Sequence, residues 1–279
     1  MPTAYADVRP SPLVGRWYPA TRQALTDMLD RFLEAAHPTP PPGEIIGLMV
    51  PHAGLIYSGP VAAYAFKLIE DMTPEVVAIL CPSHHPYPAP LLTTGHDAYE
   101  TPLGVVPVDR AAVNALNARI PLQPVRHDPE HALEIELPFL QHVLKQPFAL
   151  LPVMIVDQSP ETAERLGHAL AQTLQGRNAL LIASSDLSHY YPDHVARQLD
   201  HNMLARVAAF DPEGVLEVEA QGKGFACGRM AIAAVMWAAR DLGADSASIV
   251  HYATSGDTSG DYTQVVGYGA GVFYRHRQA

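Results

Sequence analysis

Three short, continuous apolar runs in this chain each pass directly into a turn that carries histidine. Ile45 to Val50 leads into Pro51-His52-Ala53-Gly54. Val76 to Leu80 leads into Cys81-Pro82-Ser83-His84-His85. The run ALLIASS leads into Asp186-Leu187-Ser188-His189. Unbroken apolar runs of this kind read as strands buried on both faces of a parallel sheet. Parallel strands send their carboxyl ends to one edge, and ligands bind in the crevice there. Side chains far apart in sequence can therefore converge. Imidazole is the commonest metal ligand and the usual acid or base at neutral pH. The pattern points to an α/β fold with a metal-centred or histidine-centred pocket at a sheet edge.

Helical periodicity fills the gaps. Thr21 to Ala36 puts Leu25, Met28, Leu29, Phe32 and Leu33 at helical spacing. Ser58 to Glu70 follows with Pro60 in its first turn. Glu130 to Leu144 is helical in pattern, with a break expected at Pro138. Pro160 to Gln175, His194 to Phe210, Pro212 to Gln221 and Cys227 to Leu242 also read as helices. Further strands are expected at Leu91 to Thr94, Val105 to Val108, Phe148 to Val156, Leu180 to Ser184, Ser248 to Ala253 and Val265 to Phe273. This alternation argues for a central, mostly parallel sheet flanked by helices. The 279 residues contain no linker, repeat or low-complexity stretch, so residues 1–279 read as a single domain.

Composition narrows the function classes. The net charge is −11, and no basic stripe stands out, which argues against nucleic acid as a partner. No apolar stretch reaches about 18 residues and the N-terminus lacks an apolar signal core, so no membrane partner is expected. Two cysteines, Cys81 and Cys227, make no disulfide framework and fit a reducing, cytoplasmic setting.

The candidate residues carry different weights. His52 sits between Pro51 and a small Ala53-Gly54 pair that leaves room for a ligand. His84 and His85 are adjacent, and neighbouring side chains diverge; one would face the crevice and the other pack or support it. Asp186 and His189 are three apart and would share a side if this stretch turns like a helix start. The plain alternative is Asp186 as a helix cap. Cys227 opens an expected helix, where a thiol pKa is lowered. Buried packing is the plain reading of both cysteines. Glu130, His131 and Glu134 open another expected helix, with His127 and His131 four apart. Thr254 to Asp261 is a hydroxyl-rich and Gly-rich loop that suits an anion cradle or an ordinary turn.

Taken in order, PHAGLIYSGPVAAYAF, CPSHH, TPLGVVPVD, EHALEIELPFLQ, SSDLSHY, ACG and TSGDTSGDYTQVVGYGAG form a pattern that resembles the Memo family, also called AmmeMemoRadiSam system protein B. The resemblance runs from Arg16-Trp17-Tyr18 to the last expected strand. It implies a fold similar to class III extradiol dioxygenases. It implies His52, His84 and Cys227 as metal ligands, with His84 preferred over His85. Asp186, His189 and His131 would line the same pocket as catalytic groups, with Trp17, His85 and Glu130 lining the substrate pocket. Those dioxygenases use two histidines and a carboxylate. A thiolate in place of the carboxylate is softer and suits iron with altered redox behaviour, copper or zinc.

The leading expectation is a metal-dependent redox enzyme, an Fe(II) oxygenase-like protein (copper or zinc as alternatives) acting on a small, possibly phenolic substrate. His189 or His131 would be the base, and Asp186 would orient His189. One alternative is a hydrolase using Cys227, His189 and Asp186. Another is a non-enzymatic protein that binds a metal or a peptide. Family association adds AMMECR-like and radical-SAM proteins as expected partners.

Overall fold

The structure is a computed structural model and describes residues 5–277. The chain opens with β1 (Val8–Arg9) and α1 (Arg22–Ala35), which Thr21 caps by accepting from the Ala24 N–H. Then come β2 (Gly43–Val50), α2 (Leu55–Lys67), β3 (Val76–Pro82), β4 (Leu91–Thr94), β5 (Ala98–Thr101), β6 (Gly104–Pro107), α3 (Arg110–Asn117) and β7 (Gln123–Val125). A 3-10 turn at Glu134–Glu136 leads into α4 (Leu137–Val143), then β8 (Ala149–Ile155), α5 (Pro160–Leu174) and β9 (Ala179–Ser184). The remainder is β10 (His189–Tyr191), α6 (Asp193–Ala208), α7 (Pro212–Ala220), α8 (Arg229–Asp241), β11 (Ser246–Thr254), α9 (Ser255–Ser259) and β12 (Val265–His276).

The main sheet runs β10-β12-β2-β9-β3-β8-β4-β7, with β11 also paired to β12. Its centre, β2-β9-β3-β8, is parallel. These strands are the apolar runs of the sequence, and from Leu48 to Val50, Val76 to Pro82 and Leu180 to Ser184 every residue is buried. The flanks depart from the expected parallel order. β12 is antiparallel to β2 and β11, and β4 is antiparallel to β8. The physical reason at β12 is the connection: only α9 and a short turn separate it from β11, too little chain for a parallel crossover. A small second sheet, β1-β5-β6, lies apart.

Helices flank the main sheet. α8 packs on β9, β3 and β2, with α5 and α7 against it. Met230 to Ala239 of α8 are all buried, as expected of a helix that is apolar all round. Gly167 of α5 permits the close approach of α5 and α8. A Cβ there would lie 2.7 Å from the Ala234 carbonyl oxygen and 2.7 Å from Trp237 Cβ. α2 packs on β12, β11 and β2, with α1 and α4 beside it. No helix among the described residues is long and apolar enough to cross a membrane.

Several boundaries differ from the expectation. α2 starts at Leu55, so Pro60 lies inside it rather than in its first turn. Pro138 stands in the first turn of α4, where its missing N–H costs nothing, and the residues before Glu134 are not helical. His127 and His131 therefore do not share a helix face. The hydroxyl-rich loop forms α9, opened by a capping box between Thr254 and Asp257, and its polar groups are taken up by protein partners, Thr254 by Asp193 and Asp257 by Arg197.

Leu181 in the middle of β9 is fully buried. Leu181→Ala is expected to cost about 2–5 kcal/mol in urea unfolding, and Gly167→Ala about 1–3 kcal/mol through overpacking.

Candidate metal centre

Register brings three strand ends level. Val50 pairs with Ser184, and Ala183 with Leu80. His52, His84 and Asp186 each stand two residues beyond the end of their strand, β2, β3 and β9. His131 arrives from the segment before α4, which is tied to β9 because the Ser184 hydroxyl contacts the Ala132 carbonyl oxygen at 2.6 Å. One ring nitrogen from each of His52, His84 and His131 lies within 4.8 Å of the other two. His84 and His131 stack with centroids 4.5 Å apart, and His52 meets both edge-on at 5.2 and 5.3 Å. Trp17 covers His131 at 4.3 Å, and its carbonyl accepts from Leu55 N–H at 3.0 Å, which docks the N-terminal segment on the His52 turn.

Glu130 organises two of these imidazoles. It is buried, and its carboxylate accepts from the His84 backbone N–H (2.6 Å), from His84 Nδ1 (2.9 Å) and from the N–H groups of His131 and Ala132 (both 2.9 Å). A carboxylate can only accept, so His84 Nδ1 carries a proton, and in the neutral ring Nε2 keeps the lone pair. Burial would raise the Glu130 pKa, but His84 and the amide donors outweigh it and lower it to about 2. Burial opposes the charged ring of His84, and the contact with Glu130 overcomes it and raises the pKa. Burial, helped by neighbouring rings, lowers His52 and His131 to about 3, so both are neutral at pH 7.

Asp186 is also buried, and burial pushes its pKa up to about 6. Its Oδ1 accepts from the His52 N–H at 2.7 Å and the Ala53 N–H at 3.3 Å. It therefore fixes the His52 turn and does not orient His189, contrary to the sequence expectation. His189 opens the extended strand β10, so the helical i, i+3 geometry is absent. For the same reason Asp186 caps no helix. His189 Nδ1 is buried without a hydrogen-bond partner. Beside it, Tyr190 has φ of 62° in the bulge against β12 and is largely exposed.

Cys227 Sγ lies 3.2 Å from His52 Nε2. The expected lowering of its pKa is not found. α8 begins only at Arg229, and burial together with Asp186 pushes the thiol up instead. Gly228 is what lets this turn reach the end of β9. Its N–H donates to Ser185 Oγ at 2.9 Å, and a Cβ there would lie 2.6 Å from the Ser184 carbonyl oxygen. Cys81 is fully buried in β3 and is packing. His85 stays outside the imidazole stack, and its carbonyl accepts from Ser83 Oγ at 2.8 Å.

Behind the pocket sits a buried ionic cluster that sequence reasoning missed. Arg9 donates to Asp128 at 2.8 Å, to Glu134, and to the carbonyls of Asp128 (2.9 Å) and Glu130 (2.8 Å). Glu134 also accepts from Tyr18 at 2.6 Å and from Ser11. The cluster joins the segment bearing Trp17 to the loop bearing Glu130 and His131. Ser184 and Glu136, also overlooked, lie on the far side of His52. Their signal was two hydroxyls at the end of an apolar strand and a glutamate inside the apolar run Ile135 to Leu140.

Fold and site together define an α/β protein with a histidine cluster, supported by carboxylates, at the carboxyl edge of its parallel strands. Comparison with known proteins gives the family. A family model described as Memo-like protein matches residues 9–272. A MEMO1 family protein of Nitrosopumilus maritimus is 36% identical over 272 residues, covering 94% of this chain and 98% of that protein. Another from Methanopyrus kandleri is 36% identical, covering 95% and 99%, and one from Aquifex aeolicus is 34% identical, covering 95% and 99%. The chain belongs to the Memo family.

Removing one partner of a buried ion pair leaves an uncompensated charge. Arg9→Ala, which leaves Asp128 and Glu134 buried without their shared cation, is therefore expected to lose about 3–5 kcal/mol of stability in chemical denaturation.

Proposed function

We propose that this chain is a metal-dependent redox protein whose metal is held at the strand-end cleft, with Fe(II) the leading candidate and copper or zinc the alternatives. The observation that carries this reading is the cluster of three imidazole nitrogens within 4.8 Å of one another. The donor chemistry fits. His52 and His131 are neutral, as ligands must be, and Glu130 supports His84 as a carboxylate supports a ligating histidine. His52, His84 and His131 form the donor group, and the Cys227 sulfur adjoins it through its contact with His52. A three-His set with an adjoining cysteine sulfur, which a bound metal would deprotonate, suits iron, copper or zinc by softness. When bound, such a metal would supply Lewis acidity and, for iron or copper, electron transfer.

The chain's own residues have separate tasks. Asp186 holds the His52 turn through two amide donors. Trp17 forms an aromatic wall over His131 that suits a small, flat substrate such as a phenol. His189 is the proposed base. Burial, partly offset by Asp186, lowers its pKa, so it is neutral at pH 7. Its Nδ1 makes no protein hydrogen bond, although it is buried, so a substrate hydroxyl would have to enter beside the ring to give it a proton.

The contact between Cys227 and His52 supports a second reading, a thiol nucleophile with His52 as its base. Its weakness is that the raised thiol pKa keeps Cys227 protonated. A role with AMMECR-like or radical-SAM partner proteins in the cytoplasm is proposed from family association only.

Elemental analysis of anaerobically purified protein tests the main reading. Near-stoichiometric iron or copper is expected in wild type and is lost in His52→Ala and His84→Ala. Glu130→Ala is expected to weaken metal affinity about 10–100-fold. Reconstituted wild type without bound metal, combined with fast alkylation of Cys227 by iodoacetamide, would overturn it in favour of the nucleophile.

A further inference from the structure

We propose that Ser184 is a positioning residue that fixes His52 as its Nδ1–H tautomer, presenting the Nε2 lone pair to the cleft before any metal arrives. The inference deepens the metal reading and rests on it for its purpose. The tautomer claim itself stands on the hydrogen bonds.

Three polar atoms surround the Ser184 hydroxyl: the Ala132 carbonyl oxygen at 2.6 Å, Glu136 Oε1 at 2.8 Å and His52 Nδ1 at 2.9 Å. Ser184 and Glu136 are buried, and so is His52. A hydroxyl has one proton to give and two lone pairs to receive with. The Ala132 carbonyl can only accept. If Glu136 is a carboxylate, it also accepts, and the two oxygens compete for the single Ser184 proton. If Glu136 is a carboxylic acid, it donates to Ser184, and the hydroxyl proton goes to Ala132. No proton is left for His52 in either state. His52 Nδ1 must therefore donate, and Ser184 must receive. The opposite tautomer would place two lone pairs in contact at 2.9 Å within a dry site, and unsatisfied buried polar atoms are costly.

The consequence lies on the other side of the ring. His52 Nε2 faces Cys227 Sγ at 3.2 Å. With Nδ1 protonated, Nε2 is an acceptor, and the neutral thiol donates to it. Nε2 can then ligate once the thiol hydrogen turns away or leaves, with no proton moved on the ring itself. Glu130 likewise fixes a proton on His84 Nδ1. Two carboxyl-bearing residues on one short stretch, Glu130 directly and Glu136 through Ser184, thus place the Nδ1 proton of two imidazoles from different strand ends. A hydrogen bond on one ring nitrogen fixes which nitrogen a metal meets.

The test is ¹⁵N NMR of histidine-labelled, metal-free wild-type protein at pH 7, with His52→Asn to assign the signal. A protonated Nδ1 and unprotonated Nε2 are expected. An Nε2–H pattern in wild type overturns the proposal without need of any Ser184 variant. Ser184→Ala is expected to mix the tautomers and to weaken Zn(II) binding, read against a chelator, about 10–100-fold. Ser184→Thr keeps the hydroxyl and is expected to restore both. An unchanged tautomer and unchanged zinc affinity in a folded Ser184→Ala protein would also overturn it. Wild type that shows the Nδ1–H form yet binds no zinc would support the tautomer lock and contradict the metal reading instead.

Discussion

The carboxylate of Glu130 is the interaction on which the pocket depends. It takes four hydrogen bonds, two from His84 and one each from the backbone of His131 and Ala132. Those donors come from two segments that share no strand and no helix. Without Glu130 the turn after β3 and the loop before α4 would have nothing strong in common. Its backbone carbonyl is held in turn by Arg9, which Asp128 and Glu134 neutralise. Burying these charges is costly, and ion pairs of this kind are weak grounds for global stability. What they contribute is placement.

The same logic applies around His52. Asp186 fixes the backbone of its turn, Ser184 Oγ accepts the hydrogen bond from its Nδ1, and Gly228 admits Cys227 to its Nε2 side. The cleft is preorganised in both geometry and proton position. Preorganisation of this degree suits a group that must be bound tightly and in one orientation. The parallel centre makes it achievable, since β2, β9 and β3 are neighbours in register and their ends cannot shift separately.

Much of this was legible in the sequence, for identifiable reasons. Buried parallel strands read as unbroken apolar runs, so β2, β3, β8 and β9 were found within two or three residues of their ends. His52 and Asp186 followed from their places just past strand ends, whereas the choice of His84 over His85 and of Cys227 over plain packing came from the family resemblance; their convergence is a property of sheet topology. The antiparallel turn of β12 was not legible, because alternation of elements says nothing of strand direction at the flanks. Helix α3 was overlooked, being short and mixed in composition. The orienting of His189 by Asp186 and the lowered thiol pKa of Cys227 were misjudged because both arguments assumed helical geometry where the chain is extended or still turning. Ser184, Glu136 and Arg9 were missed for a related reason. Supporting residues are recognised by what they touch, and contacts between residues 48 or 125 positions apart leave little local trace.

The central claim is that one metal is held by imidazoles from separate strand ends with the Cys227 sulfur beside them. X-ray absorption at the metal edge of the anaerobically loaded protein tests it most directly. The account predicts one sulfur scatterer near 2.3 Å and two or three imidazole nitrogens near 2.0–2.1 Å, taking zinc distances as a guide. A shell of light scatterers without imidazole multiple-scattering features, or one unaltered by His52→Ala, would contradict it.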